Sequence, residues 1–210
     1  MPDDLLGGAS PGAEAPGDVF RLALRVVLLA VLLLAGVAAA AEKDKRDPRE
    51  HFFIQTFGDL PEEMELAREE GRLGMLLFFE SENCSYCRRM LNEVLSDRRV
   101  QDWYRERFVN IAVDIHGDVE VKDFDGITLP SKVFAEHRRI FLTPVVSFLD
   151  LDGHEIYRHL GMVTTPEEFM LLGEYIEGKH YFDTEYEAFA ETHGKGKRDK
   201  ILVTPAENSE

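Results

Sequence analysis

Cysteine is scarce in this chain: Cys84 and Cys87 are the only two among 210 residues, and they lie three positions apart. An exported protein built on a disulfide framework usually carries four or more cysteines. A bridge that closes so short a loop adds only about 1.9 kcal/mol in the chain-entropy model. The core must therefore form by ordinary burial, which a hydrophobic content of 44% allows.

Positive charge is also in short supply. The chain has 24 Lys and Arg against 40 Asp and Glu, which gives a net charge of −16 at pH 7. Binding to nucleic acid needs a basic face that neutralises phosphates. We therefore exclude nucleic acid as a partner, and we attribute the acidity to solubility.

Clustered metal ligands are missing as well. Structural zinc takes four N or S ligands, typically from two paired clusters, and the sequence has no second CxxC and no HxxxH. His154 and His159 are five apart on a predicted strand, so their side chains point to opposite faces. Copper(I) needs fewer ligands, but no methionine cluster accompanies the cysteines. We predict no metal and no cofactor.

Charge is absent from Val26 to Ala41, an apolar run that follows two arginines. A basic start, an apolar centre and small residues at the end are typical of a secretory signal peptide. We predict a signal peptide over residues 1–41 and hence an exported protein. The alternative is an uncleaved membrane anchor through residues 22–41, close to the ~20 residues that a span needs.

The remaining sequence alternates between helical and strand patterns. MLLFF (75–79) and FVNIAVD (108–114) are short apolar runs typical of buried strands, and VVSFLDLDGHEIYRHLG (145–161) predicts two strands joined by an Asp-Gly turn. Helices are predicted from an Asp59 cap, after the cysteines, over 129–140 and from a Thr165 cap. This order predicts an α/β fold with a mixed central sheet flanked by helices.

The domain boundaries follow from the same patterns. We predict a linker over 42–58, one domain over 59–180 and a polar C-terminal tail over 181–210, in which a short helix fits around 185–191. The acidic connection over 116–128 is interpreted as a surface loop.

The two cysteines can be a staple, half of a metal site or a reversible redox pair. Cys84 falls at the start of a predicted helix, where free amides and the helix dipole favour an anion. A cysteine in that position has its thiolate stabilised and becomes a nucleophile. Cys87 lies one turn further on. The redox interpretation is favoured: Cys84 attacks a disulfide, and Cys87 releases the mixed disulfide.

A Thr143-Pro144 pair stands directly before the predicted strand VVSFL. Proline is rarely tolerated at the centre of a sheet because it lacks an amide donor. A cis bond packed beside the dithiol would explain it, and an ordinary trans proline that opens a strand is the alternative.

These segments resemble the thioredoxin superfamily. MLLFFESENCSYC (75–87) resembles the strand that enters the thioredoxin active site, and FLTPVVSFLDLDGHEIYRHLG (141–161) resembles its cis-proline segment and hairpin. The resemblance covers roughly residues 59 to 178. The chain also resembles exported bacterial thioredoxins of the sulfur-oxidation cluster type (SoxW-like), through FFE before the dithiol, EVLSD after it and GDVEVKDFDG over 117–126.

The resemblance implies a thioredoxin-like fold and a periplasmic thiol–disulfide oxidoreductase whose catalytic, redox-active disulfide is Cys84–Cys87. Substrate binding would involve Ser85, Tyr86, Thr143 and Pro144. The implied partners are protein disulfide substrates and a membrane thiol electron donor, the implied direction is reduction, and we expect a monomer. A disulfide oxidase or isomerase, and a non-catalytic copper- or partner-binding module, are the alternatives.

One departure from the family concerns proton transfer. Cytosolic thioredoxins bury an acid six residues before the nucleophile, and here that position is Phe78. Glu80 and Glu82 are the candidates to replace it, although their position beside apolar strand residues favours a solvated face for both.

Overall fold

The central sheet has four strands: β1 (Gly74–Glu80), β2 (Phe108–Asp114), β5 (Val145–Leu149) and β6 (Glu155–Leu160). Their order is β2–β1–β5–β6. β1 is parallel to β2 and antiparallel to β5, which is antiparallel to β6. The computed structural model from which these elements are taken describes Arg25 and residues 45–202, with side chains up to residue 194.

Seven helices and a short hairpin complete the described part of the chain. The helices are α1 (Pro48–His51), α2 (Leu60–Glu69), α3 (Ser85–Glu93), α4 (Arg98–Arg107), α5 (Ser131–His137), α6 (Pro166–Glu177) and α7 (Tyr186–Leu202), with a 3₁₀ turn at His180–Phe182. The hairpin consists of β3 (Glu120–Lys122) and β4 (Thr128–Pro130).

Two cores form because the side chains of the buried strands alternate between the two faces of the sheet. Leu76 and Phe78 of β1 lie in a cluster with apolar residues of α3, α4 and α6. Met75, Leu77 and Phe79 point the other way and pack with α2 and α5. The sheet is thus covered by helices on both faces, and the predicted α/β fold is confirmed.

The helix starts that the sequence predicted are present. The Asp59 carboxylate accepts a hydrogen bond from the Glu62 N–H and caps α2, and Thr165 Oγ1 accepts one from the Glu168 N–H and caps α6. Gly153 has φ +81° in the turn between β5 and β6, a conformation that glycine adopts without steric cost. The predicted turn therefore sets the register of this hairpin.

The predicted linker over 42–58 is folded from Pro48 onward. α1 is followed by Phe52 and Phe53, which are buried in the first core, and the Asn110 side chain donates a hydrogen bond to the Phe52 carbonyl. The expectation of a linker was wrong for this stretch, because two adjacent phenylalanines supply enough apolar surface to hold it against the sheet.

Two further expectations need correction. The connection over 116–128 carries the β3 strand, whose Val121 is buried, so it is not a plain surface loop. The region after residue 180 is not a simple polar tail, because α7 packs on α6 through the buried Phe189, which lies beside Tyr175. His154 also lies in the turn before β6 and not on a strand.

The predicted signal peptide and anchor fall on residues that lie, apart from Arg25, outside the described part of the chain. Among the helices that the structure does describe, none combines the length and the apolar character that crossing a membrane requires.

Candidate functional site

The dithiol lies where β1 ends and α3 begins. Cys84 is the N-cap residue of α3, and its Sγ accepts a hydrogen bond from the Cys87 N–H at 3.0 Å. The two cysteines form a disulfide with a Cα–Cα distance of 5.2 Å. Cys84 is half-buried, whereas Cys87 is only 1% exposed. An incoming sulfur can therefore reach Cys84 and not Cys87.

The loop before β5 lies beside the dithiol. The Thr143–Pro144 peptide bond is cis, and Pro144 is buried. Thr143 Oγ1 lies 3.3 Å from Ser81 Oγ, so the loop is joined to the turn that leads into α3. Two segments about 60 residues apart in sequence thus meet at the end of β1 that leads into α3.

A shallow depression of about 300 Å³ opens next to Cys84. It is lined by Cys84, Ser85, Tyr86 and Thr143, four of the six residues that the sequence predicted, and Pro144 follows directly in the chain. The structure therefore brings Cys84 and most of the predicted substrate-binding residues to one surface. Cys87 lies beneath it.

Two apolar residues on this surface were not foreseen. Phe141 and Leu142 line the depression and are 69% and 81% exposed, beside a Tyr86 that is 62% exposed. Large side chains left in water at one place are typical of a surface that binds a partner. The sequence did contain a signal for this surface. Phe141 and Leu142 precede Thr143 in a short connection between a predicted helix and a predicted strand, where large apolar side chains have no core to join.

A second cavity of about 380 Å³ lies behind the dithiol. Cys87 lines it together with Glu80, Arg49, Asp114 and Glu82. Glu80 is only 8% exposed, and both of its carboxylate oxygens pair with the Arg49 guanidinium. The predicted solvated face is wrong for Glu80, because this ion pair satisfies a carboxylate that burial would otherwise penalise. Glu82 is exposed, as expected.

The helix that carries the dithiol has two arginines in its first two turns. Arg88 donates to the Glu82 carbonyl at 2.9 Å, and Arg89 pairs with Glu93 one turn further on at 2.8 Å. Both arginines are exposed, as predicted for a solvated helix face. The N-terminal amides of α3 can stabilise a Cys84 thiolate, and the Cys87 N–H already points at Cys84 Sγ.

Fold and site can be compared with known proteins. A family model described as a thioredoxin-like domain matches residues 60–177, more than half of the chain. The chain belongs to the thioredoxin-like domain family. The matched segment contains both cysteines and Thr143-Pro144, and it begins after Arg49, Phe52 and Phe53.

Similar solved structures include the following three, and the first of them supports the fold. A thioredoxin-fold protein from Helicobacter pylori is similar with a TM-score of 0.54 and 22% sequence identity, over 72% of this chain and 96% of its own. A thioredoxin from Thermus thermophilus reaches a TM-score of 0.43 at 28% identity, over 55% and 82% of the two chains. The oxidised C-terminal domain of DsbD from Neisseria meningitidis reaches 0.40 at 18% identity, over 54% and 88%. No curated protein sequence matches the chain.

Away from the dithiol, the described residues contain one cluster of side chains that could bind a metal ion. Oxygen or nitrogen atoms of Asp150, Asp152 and His154 lie within 4.8 Å of one another. The cluster lies in the turn between β5 and β6, whereas Pro144 and the dithiol lie at the opposite end of β5. The cysteines are no part of it.

Proposed function

We propose that this thioredoxin-like protein is an exported thiol–disulfide oxidoreductase that reduces disulfides in periplasmic partner proteins. The observation that carries the proposal is the unequal exposure of the two bonded sulfurs: Cys84 lies at the open N-terminus of α3, and Cys87 is buried beneath it. A staple needs no such asymmetry. An exchange enzyme needs this unequal exposure, because only its attacking thiol contacts the substrate.

The chemistry follows two steps. In the reduced protein the Cys84 thiolate attacks one sulfur of the substrate disulfide, that S–S bond breaks, and the first substrate thiolate leaves. The Cys87 thiolate then attacks Cys84 Sγ, the mixed disulfide breaks, and the second substrate thiolate leaves. Two electrons pass to the substrate, its two sulfurs take up two protons, and the Cys84–Cys87 disulfide described above is the product.

Substrate binding is assigned to the depression beside Cys84. In thioredoxins the loop that carries the cis proline pairs by its backbone with an extended substrate segment, and we propose the same for Thr143 and Pro144. Ser85 and Tyr86 also line this depression. Phe141 and Leu142 would contact apolar residues that flank the substrate cysteine, since apolar area removed from water contributes about 25 cal/mol per Å².

Direction, location and subtype belong to the same proposal. We propose that electrons come from a membrane thiol donor, that residues 1–41 direct export, and that the protein works as a monomer of the SoxW-like type. Support for these points comes from the sequence resemblance.

The decisive experiment is a trap with Cys87→Ser in the full chain. Without the resolving thiol, Cys84 should accumulate mixed disulfides with its partner proteins. The matched control is Cys84→Ser, which retains a cysteine in the same motif but a buried one, and it should accumulate few or none. Mixed disulfides are counted on a non-reducing gel and identified after reduction.

Equal trapping by the two variants would contradict the assigned roles. If neither variant traps a partner, and the wild-type dithiol reduces no protein disulfide, the protein is not an exchange enzyme. In that case a non-catalytic binding module becomes the better account.

A further inference from the structure

Glu80 lies on the side of β1 that faces the dithiol helix. The side chains of a strand alternate between its two faces, so Glu80 shares a face with Leu76 and Phe78. That face belongs to the core that contains Cys87. Phe78 occupies the family's acid position, and Glu80 follows two residues later on the same face. The carboxylate is thus displaced along the strand but remains on the face of the sheet that packs with the resolving cysteine.

The surroundings of Glu80 suit a group that exchanges protons. It is 8% exposed, and it lines the 380 Å³ cavity to which Cys87 also contributes. That volume holds several water molecules, so a proton can pass between the Cys87 thiol and the Glu80 carboxylate through water. Cys87 is 1% exposed, so its side chain has almost no direct contact with bulk solvent.

The cation that holds Glu80 comes from outside the segment that the family model matches. Arg49 belongs to α1, before residue 60, and its guanidinium contacts both Glu80 oxygens and lies 5.7 Å from the centre of the Phe53 ring. Phe52 and Phe53 anchor this segment in the core. The side chain of Arg49 keeps 49% of its surface exposed, which puts the pair at the mouth of the cavity.

We propose that Glu80, positioned by Arg49, is the proton acceptor for Cys87 in the step that releases the substrate. The Cys87 S–H proton passes to the Glu80 carboxylate, and the Cys87 thiolate attacks Cys84 Sγ. The Cys84–substrate bond breaks, the substrate thiolate takes a proton from solvent, and Glu80 later returns its proton through the cavity mouth. This assignment rests on the proposed exchange function.

Two other carboxylates line the cavity. Asp114 is the register partner of Glu80 at the end of β2, and Glu82 lies in the turn before Cys84. Both are exposed. Glu80 is the carboxylate of the three that is buried with Cys87, and Glu82→Gln is therefore the matched control.

The test separates the two steps with 4,4′-dithiodipyridine, which releases one coloured thiol when Cys84 attacks and a second when Cys87 resolves. In stopped flow the first phase depends on reagent concentration and the second does not. We expect Glu80→Gln to slow the second phase by about 10²-fold near neutral pH, the lower end of what a positioned acid or base contributes. The loss should shrink as pH rises and hydroxide takes the Cys87 proton.

Controls fix the interpretation. The first phase, measured in a Cys87→Ser background, should have the same rate with and without the Glu80→Gln substitution, and Glu82→Gln should leave both phases unchanged. Arg49→Lys should retain more of the second-phase rate than Arg49→Ala. Should Glu80→Gln fold poorly beside an unpaired Arg49, the double variant Arg49→Met with Glu80→Gln removes both charges and should show the same slow second phase.

The outcomes distinguish this proposal from the proposed function. Equal slowing of both phases would mean that Glu80 only maintains the structure, and a second phase with the wild-type rate and pH profile would also overturn the assignment. Neither result would contradict the proposed exchange function. A wild-type protein that releases no second thiol, and a Cys87→Ser variant that traps no partner, would instead remove the exchange function itself.

Discussion

The strongest prediction about the fold concerns Phe52, which precedes the segment that the family model matches. Phe52 is fully buried, with ring centres of Phe53, Tyr104 and Phe169 at 5.0, 5.7 and 6.1 Å. Replacing a buried Phe by Ala costs about 3–5 kcal/mol. Since domains of this kind are stable by about 5–15 kcal/mol, Phe52→Ala should remove a large part of the free energy of unfolding.

The measurement is urea unfolding of the full chain, followed by the fluorescence of its single tryptophan, Trp103, which lies in the same core. At about 2–4 °C per kcal/mol for a chain of this size, the melting temperature should fall by roughly 6–20 °C. Phe57→Ala is the matched control, because Phe57 is 103% exposed five residues later. It should change stability by no more than about 0.5 kcal/mol.

If Phe52→Ala and Phe57→Ala unfold at the same urea concentration, the segment before residue 60 does not pack as described. The position of Arg49 beside Glu80 would then lose its support as well.

Two further predictions concern the helices on this face. An alanine Cβ at Gly173 would lie 2.3 Å from Cζ3 of Trp103. Gly173→Ala should therefore destabilise the fold by about 1–3 kcal/mol and shift the tryptophan emission. An unchanged urea unfolding curve would contradict the close approach of α4 and α6. Burial lowers the pKa of His159, and the nearby carboxylates of Glu187 and Glu168 oppose that shift. Because the unfolded chain then binds more protons, stability should fall as pH drops below about 6.5, and the fall should be smaller in His159→Gln. Parallel pH profiles for the two proteins would contradict this effect.

Much of the site could be predicted from local patterns. The strands β1 and β2 are almost continuous apolar runs, because both of their faces are covered by helices. The position of Cys84 followed from the apolar spacing of Met90, Leu91 and Val94, which fixes where α3 begins. Local chemistry decides these features, so the sequence contains them.

Long-range partners decided what the sequence did not show. The sequence alone predicts that Glu80 faces solvent. The structure shows that it is buried against Arg49, which lies 31 positions earlier in the chain. Polar and apolar residues are mixed in the hairpin over 120–130. It is placed by an isolated bridge between Lys122 and Asp59 and by the Lys122 N–H bond to the Gly58 carbonyl. Pairings of this kind leave no periodic signal in the sequence.

The missed N-terminal packing is a different case, since the signal was present. Phe52 and Phe53 stand together in a stretch that was predicted to be a linker. Two adjacent aromatic residues are unusual in a solvated connection, because their burial is worth several kcal/mol. Their neighbour Arg49 gains its position at the active site from this anchoring.

The central claim is tested most directly by the reduction potential of the Cys84–Cys87 pair in the full chain, equilibrated with dithiothreitol and glutathione buffers of known ratio. A reductant supplied by a membrane thiol donor should have a potential near about −270 mV, the value of thioredoxin. A potential near about −120 mV would make the protein an oxidant and contradict the proposed direction. A pair that never exchanges with either buffer would contradict the account of this site as a redox centre.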